Sequence, residues 1–225
     1  MLTGGSPHAH DFDSIGAALD ELLRARGHVV ERADHPDTAA RRLDRGAVDA
    51  LVIDGLWWNM LDDAYEPWRS HAYATPSSTR ASIAGFVAGG GGLVALHTTS
   101  ICFDDWAQWG AIVGGSWQWG VSSHPPLGSV SAAVVGDHPV VAGLPGTFEL
   151  VDEVYGDLAL EPGIETLVVA RRHPDDADQP VVWTHRYGAG RVVGDGFGHD
   201  VDSIVDPVHA RLIAQSVGWV VGADR

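Results

Sequence analysis

Apolar and polar positions change their period along this chain, and the changes mark its elements. Ala50 to Ile53 and Leu93 to Leu96 are short unbroken apolar runs, the second entered through Gly89 to Gly92. Runs this short, bounded by turn residues, predict strands buried on both faces, as in a parallel sheet covered by helices. Met1 to Thr3 offers only the tail of a first strand before Gly4, Gly5, Ser6 and Pro7 stop it, and His28 to Ala33 reads as a second. Between them Ile15, Leu19, Leu22 and Leu23 fall on one helical face, with Asp13 as the expected N-cap and Gly27 as the stop. Asp37 to Arg45 predicts a short charged helix. Thr75 predicts a cap with Pro76 at the first helical position, where a missing N–H is harmless, and Ile83, Phe86 and Val87 supply the apolar face. Asp104 and Asp105 predict the start of a helix through Trp106, Trp109 and Ile112, ended by Gly114 and Gly115. Asp62 to Ala74 has no clean period and reads as an excursion over a cleft.

The second half shifts to strands: Ser129 to Val135, Phe148 to Tyr155, Thr166 to Ala170, Val181 to Tyr187 and Arg191 to Gly194. Gly188, Ala189 and Gly190 predict a tight hairpin between the last two. A final helix starts at Asp206 and Pro207 and runs through Val208, Leu212, Ile213, Val217 and Val220. The expected architecture is α/β: a mainly parallel sheet flanked by helices and extended by antiparallel strands. Its 225 residues suit one domain spanning 1–225.

Charge narrows the partners. Thirty acidic residues against fourteen basic ones give a net charge of −16, with no basic run, which argues against nucleic acid or an anionic membrane. One cysteine, Cys102, cannot form an intramolecular disulfide. No basic flank with an apolar core opens the chain and no run approaches the roughly 18 residues of a membrane span, so a cytoplasmic location is the expectation. Trp219 and Val220 serve either a contact between copies of the chain or the core.

Candidate chemistry gathers after the strands. In an open α/β sheet, ligands sit beyond the carboxyl ends of the strands. His10, Asp54, His97, His199 and Asp200 each follow a predicted strand, so residues distant in sequence share one crevice. His124 lies in a loop able to fold over it. Alternation along Phe148 to Tyr155 puts Glu149, Glu153 and Tyr155 on one side and Asp152 on the other, unless the strand has ended; Glu153 is the carboxylate expected in the cleft, with a structural role as its alternative. Such a set either shuttles protons, with a carboxylate orienting an imidazole, or binds a divalent metal such as zinc or manganese. No short ligand spacing such as HExxH is present, so a metal reading rests on histidines far apart in sequence. Nine tryptophans against five phenylalanines need explaining. Indoles are core fillers or flat platforms for ligands such as sugar rings; Trp57, Trp58, Trp117 and Trp119 are the platform candidates. Cys102 lacks an elbow pattern and reads as incidental.

Taken in order, the early loop with His10, Asp11 and Phe12, the stretch GGGLVALHTTS, His124 with Pro125, DHPV at Asp137 to Val140, DEVY at Asp152 to Tyr155, and PVVWTHRYGAGRVVGDGFGHD from Pro180 to Asp200 resemble the ThuA-like, or trehalose-utilisation, family. The family's fold is similar to class I glutamine amidotransferases. The resemblance covers nearly the whole chain and implies a flavodoxin-like sheet and a link to sugar catabolism. It also places His97 near the position where the amidotransferase relatives carry a cysteine nucleophile. An imidazole does not replace that thiolate, so glutamine hydrolysis is not expected.

The leading expectation is an enzyme acting on a sugar or keto-sugar derivative by hydrolysis, elimination or isomerisation. His97, Glu153 and His199 would carry the chemistry; His10, Asp54, His124, Asp200 and the four tryptophans would bind substrate. The alternative is a non-catalytic sugar-binding or regulatory module on the same scaffold.

Overall fold

The computed structural model describes residues 1–173 and 175–222. Among the described residues ten strands are formed: β1 (Leu2–Gly5), β2 (Ala50–Leu56), β3 (Gly92–Leu96), β4 (Gly115–Ser116), β5 (Gly128–Val134), β6 (Thr147–Asp152), β7 (Ala159–Leu160), β8 (Glu165–Ala170), β9 (Gln179–Tyr187) and β10 (Gly190–Asp195). Eight make one sheet in the order β1-β2-β3-β10-β9-β8-β5-β6, while β4 and β7 pair separately. The first four strands in that order are mutually parallel and every later pairing is antiparallel. The carboxyl ends of β1, β2, β3 and β10 therefore share one edge.

Strand alternation sorts the core into two layers. Val52, Val94 and Leu96 face one side of the sheet, against Ile15, Leu19 and Leu23 of α1 (Phe12–Ala25) and Leu212, Ile213 and Val217 of α6 (Pro207–Val220). Leu51, Ile53, Leu93 and Ala95 face the other, against α2 (Pro36–Asp44), α3 (Ser77–Ala88) and α4 (Trp109–Val113). Each such side chain contributes about 1.5–3 kcal/mol when fully removed from water, so the two-sided burial of β2 and β3 explains their unbroken apolar runs.

Several local expectations are corrected. Residues 28–32 form no strand: Ala33 makes a single bridge to Leu2, while the Val30 and Glu31 carbonyls are taken by the Arg24 guanidinium and the Met1 amine. The cap of α1 is Asp11, which accepts from Ser14 N at 3.1 Å, leaving Asp13 in the first turn, where a negative charge favours the helix dipole. Pro76, not Thr75, occupies the N-cap of α3. Thr75 is instead held by Asp105, which accepts from its N at 2.9 Å, its Oγ1 at 2.7 Å, and Arg80 at 2.7 Å. Asp104 accepts from Asn59 N at 2.9 Å. With both carboxylates committed to other segments, the helix starts only at Trp109. The 62–74 excursion contains a 3₁₀ segment over Asp63–His71, and a short helix, α5 (Val201–Val205), precedes α6. Val220 lies in the core, and Trp219 packs between Arg191, 5.3 Å above its ring, and His138.

Candidate active site

Three of the aligned carboxyl ends deliver a histidine each. The β1 loop brings His10, β3 ends directly on His97, and the glycine-rich turn after β10 brings His199. Ring centroids lie 5.1 Å apart for His10 and His97, 4.6 Å for His10 and His199, and 5.4 Å for His97 and His199. His97 takes φ +44, a left-handed conformation that an L residue holds only when its surroundings compel it. The compulsion is visible: Thr98 and Thr99 donate to the carbonyls of Gly55 and Ile53, and His97 Nδ1 lies 3.0 Å from the Gly196 carbonyl.

The carboxylate arrives from the far end of the sheet. β6 stops at Asp152, so alternation no longer applies and consecutive carboxyls both turn inward. Asp152 accepts from Gly198 N at 2.9 Å and from Ser203 Oγ, tying this segment to the β10 turn. Glu153 then reaches the histidines: Oε2 is 3.6 Å from His97 Nε2 and 3.4 Å from His199 Nδ1, and Oε1 is 3.3 Å from His124 Nδ1. Tyr155 follows, its hydroxyl 3.2 Å from His97 Nε2. Glu153, His97, His199, His10 and His124 thus meet at one place.

Their charge states diverge for physical reasons. Burial, reinforced by His10, holds the His97 imidazole well below its ordinary value, and burial also lowers His10. Glu153 raises both His124 and His199. Burial pushes Glu153 up, but His124, His199 and His97 together outweigh it and hold the carboxyl well below the usual range. The site is a buried carboxylate among imidazoles, three of them, His10, His97 and His124, held against backbone carbonyls.

Aromatic rings continue outward from this floor. Trp117 packs 5.3 Å from Tyr155 and 6.0 Å from His124, and Trp119 stands half-exposed 6.3 Å from Trp117. Tyr65 bridges Trp119 to Trp58, and His8 stacks on Trp68. The indole N–H groups of Trp58 and Trp117 are buried and find no acceptor among the described residues. An unpaired buried donor is costly.

Three expected binding residues are placed elsewhere. Trp57 packs in the opposite core layer, stacked at 6.5 Å over Phe103, because neighbours on extended chain point to opposite faces. Asp200 is spent capping α5, accepting from Ser203 N at 3.0 Å. Asp54 lies wholly buried beneath the floor with both oxygens unpaired, and burial followed by Asp152 raises it well above its ordinary value. Cys102 is also buried; its thiol donates to the Gly55 carbonyl at 2.8 Å, and burial pushes it up, which removes it as a nucleophile.

The sequence reading missed the supports below the site. Ser203 Oγ lies 3.0 Å from His209 Nδ1, and His209 Nε2 lies 3.3 Å from Asp195. The available signal was a histidine on the apolar stripe of the last helix. Tyr155 was legible only as the residue sharing a side with Glu153.

The trehalose-utilisation family model matches residues 5–220. The chain belongs to the ThuA family. Among solved structures, a ThuA-like protein from Parabacteroides merdae superposes with a TM-score of 0.79 at 20% identity, over 99% of this chain and 89% of that one. A protein from Salmonella typhimurium LT2, described as cytoplasmic, gives 0.65 at 14% identity, over 91% and 86% of the two chains. A cold-adapted β-galactosidase from Rahnella sp. R3 gives 0.58 at 21% identity; the match spans 93% of this ThuA chain but 27% of the galactosidase. These likenesses establish the flavodoxin-like ThuA fold and a carbohydrate-related family. No curated protein matches. Among the described residues, no helix of this ThuA chain is long and apolar enough to cross a membrane.

Proposed function

We propose that this ThuA-family protein is a cytoplasmic enzyme that moves a proton on a sugar or keto-sugar derivative, at the cluster His97, Glu153 and His199 with His10 and His124. The carrying observation is Glu153 set among three imidazoles, with one oxygen toward His124 and the other toward His97 and His199. A carboxylate so placed stabilises the imidazolium that forms when an imidazole takes a proton from substrate. His124 and His199, the two imidazoles that Glu153 raises, are the donors able to meet charge developing on a substrate oxygen. Abstraction of a proton beside a carbonyl, leading to elimination or isomerisation, uses both features. Trp119 at the rim, with Trp117 beside it, suits stacking against a sugar ring.

The test is to incubate the protein with glycosides and their keto derivatives and follow products by mass spectrometry. His97→Ala and His199→Ala variants with wild-type circular dichroism are expected to lose about 100-fold or more in turnover. Full turnover in both folded variants would overturn the assignment. Saturable quenching of tryptophan fluorescence by a sugar with no product would favour a binding module instead.

A further inference from the structure

The inner histidines are spaced to hold something between them. We infer that His10, His97 and His199 bind one divalent cation of the zinc class, with Glu153 beside them outside the ligand set. The inference deepens the functional reading above and rests on the same site, naming what the imidazoles hold.

Four observations carry it. One ligating nitrogen from each of the three histidines lies within 4.8 Å of the other two. His97 Nδ1 sits 3.0 Å from the Gly196 carbonyl and His10 Nδ1 3.0 Å from the His199 carbonyl. A carbonyl only accepts, so both Nδ1 atoms carry the hydrogen and both Nε2 atoms present lone pairs. Backbone carbonyls fix metal-binding histidines in the same way. Third, Glu153 Oε2, 3.6 Å from His97 Nε2 and 3.4 Å from His199 Nδ1, sets a negative charge beside the imidazoles, which would favour a cation there. Finally, His199 Nδ1 is a buried ring nitrogen with no hydrogen-bond partner among the described residues.

The donor set selects the ion. Three imidazoles with a fourth position open to water or substrate suit zinc, whereas magnesium and calcium take oxygen shells. The ligands come from three separate segments, which is why no short spacing announces them. Tyr155, whose hydroxyl now meets His97 Nε2, would turn its hydrogen to another acceptor. The ion would polarise a substrate oxygen as a Lewis acid, leaving His124, on the other oxygen of Glu153, as the imidazole that carries the proton.

The experiment uses the full chain. After chelator treatment, zinc is titrated calorimetrically and its stoichiometry read by elemental analysis; X-ray absorption on the zinc-loaded wild type reports the ligands, and the cobalt form gives a visible spectrum. One ion per chain, a nitrogen-rich four-ligand shell and the intense bands of tetrahedral cobalt are expected. His10→Ala and the less buried His199→Ala should each weaken zinc binding by about 100-fold or more. His28→Ala, in the loop after α1, should leave it unchanged. Substoichiometric zinc in the wild type, or equal weakening by His28→Ala, overturns the site. Histidine-dependent sugar turnover in metal-free protein would overturn the ion and leave the functional reading; zinc bound at these ligands with no sugar turned over would do the reverse.

Discussion

His97 and Gly198 are the two residues on which the floor of the site turns. Gly198 has φ +121, and a side chain there would come within 3.2 Å of Asp54 Oδ2 and 3.6 Å of His97 Cβ. Gly198→Ala is therefore expected to destabilise the fold by about 1–3 kcal/mol and to disturb His97, which paired denaturant titrations and activity assays would show. Asp54 makes the opposite prediction. Its folded pKa lies well above the unfolded value of 3.8, so its contribution to stability is lost as pH rises past that value. Asp54→Asn should raise the melting temperature, and by more at pH 8 than at pH 5; an equal or negative shift at pH 8 would contradict the buried, unpaired placement. Cys102→Ala should leave sugar turnover within about twofold, because loss of its two buried hydrogen bonds, to the Gly55 carbonyl and from Trp57 N, costs about 1–3 kcal/mol of stability and touches no reacting group.

Elements are joined by carboxylates used as clamps. Asp105 accepts from Thr75 N, Thr75 Oγ1 and Arg80 at once, fixing the start of α3 against the segment leading to α4. Asp105→Ala strands those donors and is expected to cost about 1–3 kcal/mol in chemical denaturation. The same commitment explains why an acidic pair that looks like a helix start begins no helix. Asp152 acts similarly at the other end of the sheet: by binding Gly198 N and Ser203 it docks the end of β6 on the β10 turn, which carries Glu153 to His97. The break in alternation at Asp152 is thus the event that completes the site.

Across the whole molecule, stability is tied to one buried cation. Burial lowers His209, but Asp195, helped by Asp152, outweighs it and lifts the group from 6.5 to about 9. A raised folded pKa gives stability that is complete below about pH 6.5 and lost as pH climbs through about 9. Denaturation midpoints should fall between pH 7 and 10, and His209→Gln, if folded, should flatten that limb. A wild-type midpoint constant over the range would rule out the ion pair with Asp195.

Most of the layout was legible in the chain because it rests on local rules. Unbroken apolar runs at Ala50 to Ile53 and Leu93 to Leu96, bounded by turn residues, read as strands covered on both sides, and chain direction then sends His10, His97 and His199 to one edge. The ordered motifs fixed the family. Tertiary structure alone decided which side chains face the crevice. It sent Trp57 and Trp58 to opposite core layers, Trp58 against His8 and Tyr65, gave Asp200 to a cap, buried Asp54 below the floor, and recruited Tyr155, Ser203 and His209. The physical reason is that periodicity constrains a side chain only while its strand or helix continues. Glu153 reaches the histidines because β6 ends one residue earlier, and that ending is set by Gly198 and Ser203, more than forty residues away along the chain.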